Sequence, residues 1–263
     1  MTVETDILKK LELVKKEVND LKIKPVKNDS IKGKIVKDER ESKSSSKRQP
    51  SVKGQSAILL LFDATGSMSP LWNATKDIME EMIERITKVG SVKIKCVAYR
   101  DYCDGDNIFQ YSGWYTTAEP LLNFLRKIRC DGGGDEPEAV EDALELAYKE
   151  TEDVTRVILI GDAQPHSLEK AVYQATNLSK KGRPVFAFRV GSSSSTKSSF
   201  SQIADASRGH YADIANYEDL LDMMSVTIIH DVGGSEEVEK YIKKYDISEG
   251  VKEYSKSLPS YKK

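Results

Sequence analysis

Three oxygen-bearing side chains follow a buried apolar run near residue 60. The stretch reads AILLLFDATGSM, so Asp63, Thr65 and Ser67 stand at two-residue spacing directly after six apolar residues. Alternate side chains of an extended segment share one face, so these three can point at a single ion. Carboxylate and hydroxyl oxygens are the ligands that hard divalent cations prefer. The stretch therefore predicts a metal site.

Two further acidic segments extend this prediction. A second apolar run, VTRVILIGDA, ends near Asp162, and the loop CDGGGDEPE carries Asp131, Asp135 and Glu136. Adjacent carboxylates raise one another's pKa unless a cation neutralises them. We therefore expect Asp63, Asp162 and one acid of the glycine-rich loop to converge on a cation. Mg²⁺ fits best because it needs few carboxylates and keeps several waters, with Mn²⁺ and Ca²⁺ as alternatives.

The elements that must position these residues alternate between strands and helices. Short apolar runs separated by helical patterns of 10–15 residues predict an α/β fold over residues 56–230. The expected architecture is a doubly wound, mostly parallel central sheet flanked by helices, which is Rossmann-like. AILLLF is predicted to be its central strand, and Pro137 to open a helix. Such sheets bind ligands at the carboxyl ends of their strands.

The segments outside this domain are more polar. Residues 1–24 predict an amphipathic helix or short coiled coil, since apolar residues recur at spacings of 4, 3, 4 and 3: Ile7, Leu11, Val14, Val18 and Leu21. The alternative is a helix that frays or docks on its own domain. Residues 25–55 hold nine Lys or Arg against four Asp or Glu, which predicts a disordered basic Ser/Lys-rich linker. This linker is either a spacer, a docking tail or a phosphorylation target. Residues 231–263 predict a polar C-terminal tail with one short helix around Glu236–Lys244.

Composition narrows the functional classes. A formal net charge of −2 gives no reason to expect nucleic acid as a partner, and no apolar run is long enough to predict a membrane span. The N-terminal residues lack the pattern of a secretory signal, so we expect a cytoplasmic protein. The cysteines at 96, 103 and 130 match no zinc pattern and are expected to be reduced. A Cys103–Cys130 disulfide is the alternative.

The acidic segments resemble those of a known family. DATGSM is similar to the D-x-S/T-x-S motif of von Willebrand factor type A domains, the metal-ion-dependent adhesion site. GGGDEPEAVEDAL and LIGDAQPH resemble the second and third metal loops of that family. The resemblance covers about residues 56–230. It is nearest to intracellular A domains, including those associated with alpha-type protein kinases, although no kinase segment is present here.

The resemblance implies a set of metal ligands. Asp63, Thr65 and Ser67 would form the first loop and Asp162 the third, while Asp135 falls where integrin-type domains place a threonine. A third carboxylate would leave the site net negative around a divalent ion. Metal binding should then be tighter, and attraction for an acidic residue of a partner weaker. The alternative is that Asp135 caps the following helix.

The roles of three features near the expected metal site are less clearly indicated by the sequence. His166 either donates a hydrogen bond behind the ligands or serves as a cap or surface residue. Arg100-Asp101-Tyr102 either orients the metal loops or forms a surface pair, and Asp131 is expected to be a turn residue.

The expected function is binding and not catalysis. We expect an intracellular metal-binding domain that mediates protein–protein interaction or complex assembly. An acidic residue of the partner at the metal and self-association through residues 5–24 are the expected contacts. An enzyme is not expected, since DATGS lacks the second aspartate of a phosphatase DxD loop and no nucleophile–base pair is evident. The alternatives are a Mg²⁺-dependent phosphohydrolase, or a scaffold with a vestigial metal site.

Overall fold

The described part of the chain is built on a six-stranded sheet. The computed structural model describes residues 55–134 and 136–258, and the side chains at 55, 74–81, 87 and 217 fall outside that description. The strands are β1 Gln55–Asp63, β2 Ser91–Tyr99, β3 Phe109–Tyr111, β4 Arg156–Gly161, β5 Val185–Arg189 and β6 His210–Asp213. Their order is β3-β2-β1-β4-β5-β6, with only β3 antiparallel to its neighbour. The predicted doubly wound, mostly parallel sheet is confirmed.

Helices cover both faces of this sheet. They are α1 Ser69–Thr87, α2 Ala118–Leu125, α3 Val140–Lys149, α4 Leu168–Lys180, α5 Ser194–Ser207, α6 Tyr217–Lys244 with a kink at Gly234, and α7 Glu249–Ser257. Ile58, Leu60 and Phe62 of β1 pack on the side of α1, α2, α6 and α7. Leu59 and Leu61 pack on the side of α3, α4 and α5. Alternate residues of a strand face opposite sides of the sheet, so β1 is buried on both faces. The unbroken apolar run of β1 predicts this burial.

The helix predicted to begin at Pro137 begins later. α3 starts at Val140, after a cis bond between Glu136 and Pro137. The Glu138 N–H donates to the carbonyl of Gln164 at 2.9 Å, and the Ala139 N–H donates to the carbonyl of Arg100 at 3.1 Å. Since these bonds hold residues 138 and 139 against neighbouring loops, the helical conformation starts only after them.

The described residues 231–258 are not a polar tail, although a helix does cover Glu236–Lys244 as expected. Helix α6 runs on to Lys244, and α7 follows after a short turn. Ile247, Val251, Tyr254 and Leu258 are buried in the same apolar core as α1 and α6. Their spacing of 4, 3 and 4 residues is that of one helix face. Val251 and Tyr254 lie within α7, and Ile247 and Leu258 lie just before and after it.

Some predictions fall beyond this description. The amphipathic segment 1–24 and nearly all of the basic linker 25–55 lie outside the described residues. Over the described part, no helix combines the length and apolar character needed to cross a membrane. Cys96, Cys103 and Cys130 are all free thiols, so the alternative of a Cys103–Cys130 disulfide is not what the structure contains.

Candidate metal centre

Two acidic residues meet where the strand order reverses. The chain leaves β1 and β4, the two central strands, on the same edge of the sheet. Phe62 is level with Ile160 in the parallel register, so Asp63 stands beside Gly161, with Asp162 next along the chain. This edge is the topological switch point, where doubly wound folds bind their ligands. The predicted convergence of Asp63 and Asp162 is therefore present.

Glycine at position 161 permits the close approach. A Cβ atom there would lie 2.5 Å from the Tyr99 hydroxyl and 3.2 Å from Oδ2 of Asp63. A side chain at this position would displace one or both of these groups. The sequence offered a signal for it, a glycine directly before the acid in LIGDA.

The first loop closes around Asp63. The Asp63 side chain is fully buried, and its Oδ1 accepts hydrogen bonds from the Thr65 N–H at 2.9 Å and the Thr65 hydroxyl at 2.6 Å. The Thr65 and Ser67 hydroxyl oxygens are 3.2 Å apart. Ser67 lies in a 3-10 turn, Gly66–Met68, and not in an extended segment. The predicted grouping of the three side chains is present, but strand alternation accounts only for the first two.

Two carboxylate oxygens at this edge have no partner within the described residues. They are Oδ2 of Asp63 and Oδ1 of Asp162, and both atoms are buried. Burial, with the nearby charge of Asp162, raises the pKa of Asp63 to about 7. A buried carboxylate without a partner is costly, and a cation between the two groups would remove that cost.

Glu138 is a third buried carboxylate at the site, and the sequence pattern does not single it out. It is 4% exposed, and its Oε2 has no hydrogen-bond partner in the described structure. Burial, followed by the charge of Asp63, raises its pKa to about 9. Burial and the carboxylates of Asp63, Glu138 and Asp162 together raise the pKa of Tyr99. The sequence gives no signal for Glu138, because a helix beginning at Pro137 would place the next residues on a helical surface.

The glycine-rich loop is held close to the first loop. The Gly66 N–H donates to the carbonyl of Gly132 at 3.3 Å, and the Asp131 N–H donates to the carbonyl of Ala64 at 3.2 Å. Asp131 is otherwise exposed and pairs only loosely with Arg100, at 3.6 Å, as expected for a turn residue. Asp135 lies outside the described residues, so its role as a ligand or helix cap stays a prediction.

Arg100 orients these loops. Its side chain is 3% exposed and donates to the carbonyls of Asn107, Arg129 and Asp131 at 2.8, 2.6 and 3.2 Å. Two backbone segments, at residue 107 and at residues 129–131, are thereby held by one guanidinium group. This arrangement favours the interpretation that Arg100 positions the glycine-rich loop over that of a surface pair.

His166 contacts an acid behind the loops. Its Nε2 lies 2.5 Å from Oδ1 of Asp101, and its ring is 4.6 Å from that of Tyr102 between centroids. Asp101 also accepts the Tyr102 N–H at 2.7 Å. These contacts support a positioning role for His166.

The donor set suits a hard cation bound partly by hydroxyl oxygens and water. Within residues 55–134 and 136–258, no three His, Cys, Asp or Glu side chains are close enough to hold a metal by themselves. Two carboxylates with two hydroxyls remain, which is the type of site that Mg²⁺ accepts while keeping several waters. The two unpartnered buried oxygens fit such an ion.

The fold and this site define a class: doubly wound α/β domains with an acidic ligand site at the switch point. A family model described as von Willebrand factor A domain matches residues 57–230, about two thirds of the chain. The chain belongs to the von Willebrand factor A domain family.

One curated relative is a viral protein. A protein of Acanthamoeba polyphaga mimivirus, named as an ariadne-like RING finger protein, R811, is 33% identical over 115 residues. The matched part is 43% of this chain and 12% of that protein. The chain therefore corresponds to a small part of this relative.

Solved structures share the fold at low sequence identity. Proximal thread matrix protein 1 of the mussel byssus, in a form with a zinc-occupied MIDAS motif, has a TM-score of 0.54 at 22% identity, covering 67% of this chain and 46% of that one. The pilus adhesin SpaC of Lactobacillus rhamnosus GG has a TM-score of 0.56 at 14% identity, covering 70% of this chain and 31% of that one. A von Willebrand factor type A protein of Catenulispora acidiphila has a TM-score of 0.54 at 14% identity, with 68% and 43% covered. These likenesses support the fold, and the chain spans less than half of each of these structures.

Proposed function

We propose that this chain is an intracellular A domain that binds a divalent cation, Mg²⁺ in the first place, and uses the loaded site to hold a protein partner. The observation that carries the proposal is the pair of buried, unpartnered oxygens on neighbouring strand ends, Asp63 Oδ2 and Asp162 Oδ1. Membership of the A domain family supports the interaction role, since A domains generally mediate protein–protein contacts.

Four described side chains would hold the cation: the carboxylates of Asp63 and Asp162 and the hydroxyls of Thr65 and Ser67. Asp135 is proposed as a further ligand on the sequence pattern alone. When bound, the cation supplies a concentrated positive charge at the edge of the sheet, to which an oxygen of a partner can bind. With three carboxylates present, a neutral oxygen of the partner is favoured over an acidic residue.

The proposal includes a cytoplasmic location and a non-catalytic role. The exposed free thiol of Cys103 supports a reducing compartment, where such thiols persist. Self-association through residues 5–24 is part of the proposal, and rests on the heptad spacing of that segment.

Partner capture is expected to depend on both the metal and the acids. Immobilised wild-type protein in excess Mg²⁺ should retain a protein from its source cells that is released by EDTA. The double variant Asp63→Asn, Asp162→Asn should retain at least about tenfold less, equivalent to about 1.4 kcal/mol. Quantitative mass spectrometry of the bound fraction measures this difference.

The matched control is Asp131→Asn, which changes an exposed carboxylate in the adjacent loop. It should retain as much partner as the wild type. Partner retention that survives both EDTA and the double variant would contradict the proposal. Metal-dependent hydrolysis of phosphoesters that needs Asp63 would replace it with the enzymatic alternative.

A further inference from the structure

Glu138 is a buried acid at this edge of the sheet that is not among the proposed metal ligands. Its side chain is 4% exposed and Oε2 has no hydrogen-bond partner within the described residues. A buried polar oxygen without a hydrogen-bond partner is costly, so it indicates a contact that the described side chains do not supply. The question is what this oxygen contacts in the working protein.

Three loops place the Glu138 carboxylate against the first metal loop. Its backbone N–H is held by Gln164 of the third loop at 2.9 Å. Gly133, at φ +71, leaves the space in which the side chain lies, because a Cβ there would be 2.9 Å from Glu138 Oε1 and 3.0 Å from Thr65 Cβ. The packing of the loops therefore places the Glu138 carboxylate near Thr65.

The charges around Glu138 are negative. The carboxylates of Asp63, Asp101, Asp104 and Asp162 all act on it. Yet Glu138, Asp63 and Asp162 do not form a group close enough to ligate one metal together, as no such group of three exists among the described residues. Glu138 is therefore left out of the ligand set, and its unpartnered oxygen on the side of Thr65 is suited to a contact with water around the cation.

We propose that Glu138 is a positioning residue of the metal site, whose free carboxylate oxygen accepts hydrogen bonds from the hydration shell of the cation. The inference rests on the proposed metal site and deepens it. Mg²⁺ keeps its waters, whereas Ca²⁺ replaces them readily with protein oxygens. Glu138 therefore favours Mg²⁺ over Ca²⁺ at this site.

Calorimetric titration of the full chain with Mg²⁺ and with Ca²⁺ tests this inference. Glu138→Gln keeps the shape of the side chain, and should weaken Mg²⁺ binding about tenfold or more, the usual size of such outer contacts. The loss of Ca²⁺ affinity should be smaller. Glu141→Gln is the matched control, since Glu141 is 3% exposed and also has a free Oε2, but its Oε1 accepts the Ser167 N–H at 2.9 Å. This control should change both affinities less than about twofold.

The outcomes separate this inference from the proposed function. If the wild type binds neither ion, the metal site itself is refuted and the role of Glu138 falls with it. If the wild type binds Mg²⁺ and Glu138→Gln binds it equally well, only the role of Glu138 is refuted. An equal loss for both ions, together with a lower melting temperature in EDTA, would identify a purely structural role and overturn the inference.

Discussion

In EDTA, lowering the pH from about 8 to about 5 is expected to stabilise the wild type relative to Asp63→Asn by about 2–3 kcal/mol. The cause is the pKa of Asp63, which burial raises from 3.8 to about 7. Between these two values the folded protein binds a proton that the unfolded chain does not. Stability therefore falls as the pH rises through this window, and the penalty is complete above it.

The comparison with Asp63→Asn removes the contributions that both proteins share, whereas Glu138 is coupled to Asp63 and stays part of the difference. The groups that face Asp63 are Asp162, Glu138 and the Tyr99 hydroxyl, and the raised pKa of Glu138 acts in the same direction. Burial lowers the pKa of His210 and of His230, which acts oppositely below about pH 6.5. Because both histidines are present in both proteins, their contribution cancels in the difference.

Urea unfolding at a series of pH values measures this difference for the two proteins. Saturating Mg²⁺ should flatten the pH dependence of the wild type, since the cation compensates the ionised carboxylate. A difference between wild type and variant that stays constant from pH 8 to pH 5 in EDTA would show that Asp63 does not titrate in this range.

A chain ending at residue 230 is expected to lose cooperative unfolding. The deletion removes six buried apolar side chains that pack on α1 and α6: Val238, Tyr241, Ile247, Val251, Tyr254 and Leu258. At about 1.5–3 kcal/mol each, their loss is on the order of 10 kcal/mol, comparable with the whole stability of a typical domain. The deletion also removes Asp231, which pairs with Arg156 at 2.7 Å and accepts the Ser56 hydroxyl at 2.6 Å.

The control for this deletion is a chain ending at residue 258. It keeps every one of these contacts and should melt at the wild-type temperature in calorimetry. If the chain ending at 230 melts as cooperatively and at the same temperature as the wild type, the C-terminal helices do not belong to the core.

The sheet and the position of its acids were predictable because they follow from local pattern and topology. The apolar runs of β1 and β4 identify strands buried on both faces, and parallel strands end on one edge. Asp63 and Asp162 therefore had to emerge together. The role of α7 was also available in principle, from the 4, 3 and 4 spacing of its buried residues, but the many polar residues around them concealed it.

The finer site was less predictable because it depends on contacts between distant loops. Glu138 faces Asp63 only because its backbone pairs with Gln164 and α3 starts late. Ser67 approaches Thr65 through a 3-10 turn, which spacing alone does not distinguish from an extended segment. Arg100 joins two loops, at residue 107 and at residues 129–131, whose closeness appears only in the folded chain.

The most direct test of the metal site is diffraction from crystals of the protein grown with Mn²⁺, using its anomalous signal. We predict an anomalous peak at the carboxyl ends of β1 and β4, within ligand distance of Asp63, Asp162, Thr65 and Ser67. The same map would show whether Asp135 is a ligand. Crystals in excess Mn²⁺ with no peak at this edge, or with a peak elsewhere only, would contradict the account.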